Sequence, residues 1–377
     1  MSPTQTSQST TLPVMTATSA EIPAAVSVET DTAPPLDAAS LADHASLEQM
    51  SAFLEDLAAN GRFMGSVLVA QDGNILLNEG YGMANIEAGV PNTPGNQYRI
   101  GSLTKQFTAA AILKLQESGL LNVQDPVQKY IPNYPNGDAI TIHQLLTHTA
   151  GIPNYERRND LPRVVQTPIA LDDLIASFSD QPLESLPGQR YSYSSSGYVV
   201  LTKIIETVSG QSYADYIQEK IFAPSGMNDS GYDYLDPNLR DPAVGYMLTE
   251  GGPQRAILTD SSWPAGAGAL YSTLGDLYHW DRALYGNDIL NQNSMEAMHT
   301  PWVATGQGVD YGYGWDIGST MGRPSIAHGG IIFGFASYMV RFPQDNAVII
   351  VLSNGIQMPP RVVAEELTQL LFNSTSP

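Results

Sequence analysis

With 377 residues, 42% of them hydrophobic, the chain can bury a large core, and its length implies two domains or one domain with a large insertion. Seventeen Lys and Arg against 38 Asp and Glu give a net charge of -21, which excludes the cationic surface that nucleic acids and anionic membranes require of a partner. The absence of cysteine removes disulfides, thiolate nucleophiles and Cys-based metal sites together.

The first 40 residues are rich in Ser, Thr, Ala and Pro and contain no Lys or Arg. This is the composition of tethers and propeptides, and residues 1–45 are read as a disordered tail. They lack the basic and apolar blocks of a signal peptide, and no stretch approaches the ~20 apolar residues of a membrane span, so stable membrane insertion is not expected. Tails of this kind commonly follow a removed export signal, which points to an extracytoplasmic protein, periplasmic or secreted.

Order is expected from about Leu47, where Leu47, Met50, Phe53, Leu54 and Leu57 recur at helical spacing before an Asn60-Gly61 stop. "GSVLVAQDGNILLNEGYG" then reads as two strands around the Asp72-Gly73 pair, a hairpin signal. From 102 to about 300 the periods turn helical between Pro and Gly breaks, at 102–118, 141–147, 170–178, 196–208, 213–222 and 275–285. Strands return after Tyr311 in "SIAHGG", "FASYMVRF" and "AVIIVLSN", the last two joined by Pro343-Gln-Asp-Asn346, and a helix over 361–372 closes the chain.

Strands at both ends with helices between them predict an α/β fold: an antiparallel sheet built from both termini, flanked by N- and C-terminal helices, with a mainly helical domain inserted. The expected division is 46–100 with 301–372 for the sheet domain, 101–300 for the helical domain and 373–377 for a C-terminal tail. The groove between the two is the expected site. No phosphate-cradling Gly loop and no His-Glu-x-x-His zinc signature occurs, so neither a metal nor an organic cofactor is implied.

Three stretches carry chemistry. In "GSLTKQFTAAAILKLQESG" the residues after Lys105 are apolar nearly all round the helix, so it is buried on most sides and brings Ser102 and Lys105 to its N-terminal end. Residues three apart share a helix face, so the ammonium can reach the hydroxyl, and the free N–H groups of the first turn favour developing negative charge. With only five lysines in the chain, chance alone supplies about 0.4 Ser-x-x-Lys matches, so further motifs are needed to decide its meaning. In "RYSYSSSGYVVLTKIIETVSG" a helix ended by Gly210 follows a loop bearing Tyr193, and in "IAHGGIIFGFAS" Gly329 and Gly330 end a strand without side chains to obstruct a substrate.

In this order the three stretches resemble the serine β-lactamase and penicillin-binding-protein superfamily, in particular its class C β-lactamase-like branch of D-aminopeptidases, DD-carboxypeptidases and family VIII esterases. The resemblance runs from about 46 to 372. It includes Ser102-x-x-Lys105, the Tyr-x-Asn-like Tyr193-Ser194-Ser195, and His328-Gly329-Gly330 where many members carry Lys-Thr-Gly. "LLTHTAGIP" at 145–153, "PAGAGALYSTLGDLYHW" at 264–280 and "YGYGW" at 311–315 are similar to accessory segments of the family.

The resemblance implies a serine hydrolase acting through an acyl-enzyme on Ser102, with Lys105 and Tyr193 moving the proton and the backbone N–H groups of Ser102 and Ile331 as oxyanion hole. Which of Lys105 and Tyr193 is the base stays open, since each has a reference pKa about three units above neutrality. Tyr191 competes with Tyr193, but its interval to Gly197-Tyr198 does not match the family. Ser195, His328, Gly329 and Gly330 are implied to meet substrate, and Asn154, Tyr155 and Trp315 fall in segments that border the family's pocket. Ser195 offers a shorter reach than the usual Asn amide. His328, with a reference pKa near 6.5, is expected to be ~10% charged at pH 7.5 and to bind a substrate carboxylate less well as pH rises. Both departures favour ester or peptide hydrolysis over β-lactam hydrolysis. His143 and His148, five apart, read as packing or helix-turn residues rather than a metal pair. The partner is a small molecule or short peptide; the rival function is an inactive peptidoglycan- or ligand-binding module. A GxSxG esterase is excluded by the absence of that pentapeptide. Oligomeric state is not readable from the sequence.

Overall fold

The computed structural model describes residues 38–232, 235–237, 239–355 and 357–373. Residues 1–37 and 374–377, most of the two expected tails, lie outside the described residues. Helix α1 spans Ala38–Ala59, so residues 38–45 belong to it rather than to a tail. The reason is local: "AASLADHASLEQM" is rich in the good helix formers Ala and Leu.

Eight strands form the main sheet: β1 Gly65–Gln71, β2 Asn74–Tyr81, β3 Val303–Ala304, β4 Asp310–Tyr311, β5 Asp316–Thr320, β6 Arg323–Ile332, β7 Phe335–Phe342 and β8 Ala347–Ser353. Their order is β2-β1-β8-β7-β6-β5-β4-β3, antiparallel throughout. The β1–β2 hairpin turns at Asp72 and Gly73, both at positive φ (53° and 80°), the backbone that a two-residue hairpin loop needs. The two termini meet where β1 pairs with β8, Val67 opposite Val351 and Val69 opposite Ile349. Strand β8 is buried along its whole length because helices cover both faces.

On one face α1 and the closing helix, Pro360–Asn373, bury Met50, Leu54, Val363 and Leu367 against Val67, Val69, Ile349 and Val351. On the other, Leu68, Met339, Val348 and Ile350 join a cluster continuous with helix α2, Thr104–Glu117, and with the helices that follow it. Phe107 of α2 is fully buried between the rings of Phe222 (5.4 Å) and Trp280 (4.7 Å). Residues from 121 to 300 include helix α3, Ser195–Ser209, stopped by Gly210 at φ 71°, then α4, Ala265–Gly268, α5, Leu274–Ala283, and α6, Gln292–His299; the closing helix is thus α7. This region also holds strands that no periodicity announces: a hairpin of Tyr246–Thr249 with Gly252–Arg255, and Tyr271–Ser272 paired with Tyr98–Arg99. Among the described residues no helix is long and apolar enough to cross a membrane.

Candidate active site

The first turn leading into α2 lies against the edge of β6, and only glycine fits at the seam. A Cβ on Gly330 would come within 2.0 Å of the Ile100 carbonyl oxygen and 2.9 Å of the Ser102 nitrogen; one on Gly101, at φ 51°, would lie 2.8 Å from the Ile331 nitrogen. Backbones in such contact bring the amides of Ser102 and Ile331, 229 positions apart, to the same spot. Ile331 itself is exposed on the rim.

Lys105, one turn along from Ser102, is fully buried. Its Nζ donates to Ser102 Oγ at 3.0 Å, to the Ala267 carbonyl at 2.8 Å and, more weakly, to Ser195 Oγ at 3.4 Å. These three partners suit either protonation state. As an ammonium, Nζ has three protons for three acceptors; as an amine it can keep two donated bonds, to Ala267 and Ser195, while its lone pair accepts the Ser102 hydroxyl. Burial lowers its pKa to about 8, partly opposed by the Glu156 carboxylate. Tyr193 lies beside Ser102 in the cavity wall, and its ring centroid lies 4.9 Å from Lys105 Nζ. Burial raises its phenol well above the usual range, and the neighbouring Ser102 hydroxyl offsets only part of that. Tyr191 makes no such contact with Ser102; its ring lies 5.7 Å from that of Tyr311.

Behind Tyr193 runs a chain of hydrogen bonds whose direction its backbone ends determine. The Ser194 N–H can only donate, so His148 Nδ1 (3.2 Å) is an acceptor; the Gly329 carbonyl can only accept, so His328 Nδ1 (2.6 Å) carries a proton. It follows that His148 Nε2–H donates to the Tyr311 hydroxyl (3.2 Å), which donates to His328 Nε2 (3.0 Å). Both imidazoles are thereby neutral. Burial, then the Lys105 charge, lowers His328 to about 3 and His148 well below its ordinary value. The His148 ring also packs 4.3 Å from that of Tyr193. His148 is held at φ 56°, a left-handed conformation that costs a side-chain-bearing residue roughly 1–2 kcal/mol.

Ser102 and Tyr193 open into a cavity of about 800 Å³, walled by Tyr155, Trp263, Gly329, Gly330, Ile331 and Phe333 among others. The Beta-lactamase family model matches residues 31–372. The chain belongs to the beta-lactamase family. PbpX of Bacillus subtilis (strain 168) is 33% identical over 326 residues, covering 86% of this chain and 78% of PbpX. The octameric penicillin-binding protein homologue from Pyrococcus abyssi superposes with a TM-score of 0.77 at 32% identity, over 87% of this chain and 77% of that one. A D-amino acid amidase from Ochrobactrum anthropi SV3, solved with L-phenylalanine, gives 0.76 at 25% identity over 89% and 99%. The fold is the β-lactamase/transpeptidase-like one, an antiparallel sheet with helices on both faces.

In this beta-lactamase-family protein, Ser102, Lys105, Tyr193, His328, Gly329, Gly330 and Ile331 come together, and Tyr155 lines the cavity while its hydroxyl donates to the Trp263 carbonyl. Three expected substrate contacts are corrected. Ser195 is buried in the first turn of α3 and meets Lys105 instead of the cavity. The Asn154 side chain turns to Glu156, accepting its backbone N–H to cap a short helix. Trp315 is fully buried against His299, 5.9 Å ring to ring, because the tight backbone at Gly314 (φ 77°) carries it into the core. The expected partial charge on His328 is corrected too: a group near pKa 3 is neutral throughout the physiological range. Sequence reasoning missed the Ala267 carbonyl, Tyr311 and Asp316. The first lies in "PAGAG" and the second in "YGYGW", both conspicuous, but a backbone acceptor and a buried hydroxyl leave no pattern of their own.

Proposed function

We propose that this protein is a serine hydrolase that cleaves amide or ester bonds through an acyl-enzyme on Ser102. The observation that carries the reading is Lys105 Nζ, 3.0 Å from Ser102 Oγ and brought to about pKa 8 by burial, at the floor of a cavity open to small molecules. Of the two candidate bases Lys105 is the nearer to neutrality, whereas the buried Tyr193 phenol keeps its proton. Neutral Lys105 takes the proton as Ser102 Oγ attacks the acyl carbon, and the oxyanion is held by the Ser102 and Ile331 N–H groups, roughly 3 kcal/mol for one donor. Tyr193, beside Ser102, hands a proton to the leaving group and takes its replacement from Nζ. Water then resolves the acyl-enzyme. The D-amino acid amidase among its structural neighbours supports amides as substrates alongside esters.

The neutral fraction of a group near pKa 8 rises from about 10% at pH 7 to about 90% at pH 9. The acylation rate of an activated ester therefore climbs across that interval. A fluorophosphonate should add its phosphonyl mass to Ser102, with loss of the adduct in Ser102→Ala and a rate loss of about 10²-fold or more in Lys105→Met. An unlabelled Ser102 under these conditions, with all activated esters untouched, would leave a ligand-binding module as the better description.

A further inference from the structure

Asp316, at the start of β5, lines the same cavity as Ser102 and takes no part in the chemistry above. It stands opposite Ala327 of β6, while Tyr338 of β7 stands opposite Gly329. Residues paired across antiparallel strands share a face, and so do positions 327 and 329, two apart on one strand. Between Asp316 and Tyr338, β6 thus presents only a methyl group and a hydrogen; this is the face packed by α7, opposite the one on which Gly330 meets Ser102, and the cavity is lined by residues of both.

No described group donates a hydrogen bond to the Asp316 carboxyl. The groups that feel its charge are Arg361 of α7, Tyr311 of β4, Tyr338, and Tyr191 on the loop before α3; Tyr191 and Tyr338 also line the cavity. Arg361 lines the cavity as well, with its Nε held by Glu365 at 2.8 Å. Burial outweighs its influence and raises Asp316 to about 6, so the carboxyl is ionised at pH 7.5. The second acidic residue of the wall is Glu156, and His328, where a cation would be needed to receive a carboxylate, is neutral. A half-buried carboxylate that receives no hydrogen bond from a described group, beside tyrosine rings whose faces attract cations, is matched by an ammonium group.

We propose that the cavity selects substrates with an apolar body carrying an ammonium group, and that Asp316, with Tyr338 and Tyr191 in the wall beside it, receives that group. The proposal rests on the serine-hydrolase reading only for the chemistry that follows binding. It runs opposite to recognition of an anionic substrate through the His-Gly-Gly strand.

The test uses p-nitrophenyl esters of ω-aminoalkanoic acids of four, six and eight carbons against unsubstituted esters of equal length, together with n-octylammonium as a non-reactive probe followed by calorimetry. At pH 7.5 at least one amino ester should show kcat/KM about tenfold or more above its neutral counterpart. The ratio should fall towards one in Asp316→Asn, and also in the unaltered protein at pH 5, where the carboxyl is protonated. Arg361→Ala should tighten octylammonium binding by removing a competing cation. Equal kcat/KM for amino and neutral esters of every length, or a preference that survives Asp316→Asn, overturns the proposal. So does octylammonium affinity untouched by both substitutions, which would make Asp316 and Arg361 a structural pair. If no ester is turned over and Ser102 takes no label, the hydrolase reading fails on its own; octylammonium binding that Asp316→Asn abolishes still upholds the ammonium site, and absence of binding sinks it.

Discussion

At position 328 the sequence offers a titratable imidazole, and the fold takes its titration away. Its reference value of 6.5 predicts a weak physiological switch; burial and the nearby Lys105 lower it to about 3. The sign of the effect on stability follows. A base whose folded-state pKa is depressed contributes stability that is present above its unfolded pKa and is lost as pH falls through the folded value, here between pH 6.5 and 3. The amount is on the order of 5 kcal/mol for one such group. Urea midpoints should therefore drop steeply across that window, and less so in His328→Asn. Nitrogen-15 NMR at pH 7 should find His148 protonated on Nε2 and His328 on Nδ1, and Tyr311→Phe should keep that selection, because the Ser194 N–H and the Gly329 carbonyl impose it. His148 and His328 lie 163 and 17 positions from Tyr311, and neither distance leaves a trace in local spacing.

Among elements, those with a period or a turn signal were legible before any coordinates. The Asp72-Gly73 hairpin, α2 with Lys105 and the Ser102 turn that leads into it, α3 with its Gly210 stop and the three long strands from 323 on all occur within two or three residues of their expected bounds. The short ladders were not. Two-residue strands such as Tyr98–Arg99 and Asp310–Tyr311 contain no alternation to read, since their pairing is decided by the neighbours to which tertiary packing delivers them. The site followed the same rule: the side chains on α2 and on the loop before α3 were foreseeable, while Ser195 and Trp315 were misassigned because their burial depends on what covers them. The join between α5 and β7 is a further case. Arg341 Nε donates to Asp281 Oδ1 at 2.5 Å, with both side chains almost fully buried, and Arg282 also reaches that carboxylate. Asp281→Ala leaves Arg341 buried without its anion and should cost about 3–5 kcal/mol in equilibrium unfolding; replacing both partners with apolar residues should cost far less.

For the whole molecule, the sheet residues Leu68, Met339 and Ile350 and the helical residues from Leu145 to Trp280 belong to one buried cluster with α2 at its centre. Nothing in that core marks a boundary at residue 100 or 300. Heating should accordingly unfold the described body in one cooperative transition, and calorimetry that resolves two would show that the helical region melts by itself. Among the described residues Asp276 and Asp281 are the buried carboxylates, and the other acidic side chains are solvent-accessible, where salt screens them over ~8 Å.

The glycine seam between residues 100–102 and 330–331 has a consequence for anyone dividing the polypeptide. A break in the exposed turn around Gly251 would leave the hydroxyl on one fragment and its ledge on the other, with β1 and β8 likewise parted. Neither half could assemble the reactive pocket alone, so covalent capture by a fluorophosphonate would report reunion of the fragments, and this scaffold becomes a complementation sensor whose signal is a chemical bond.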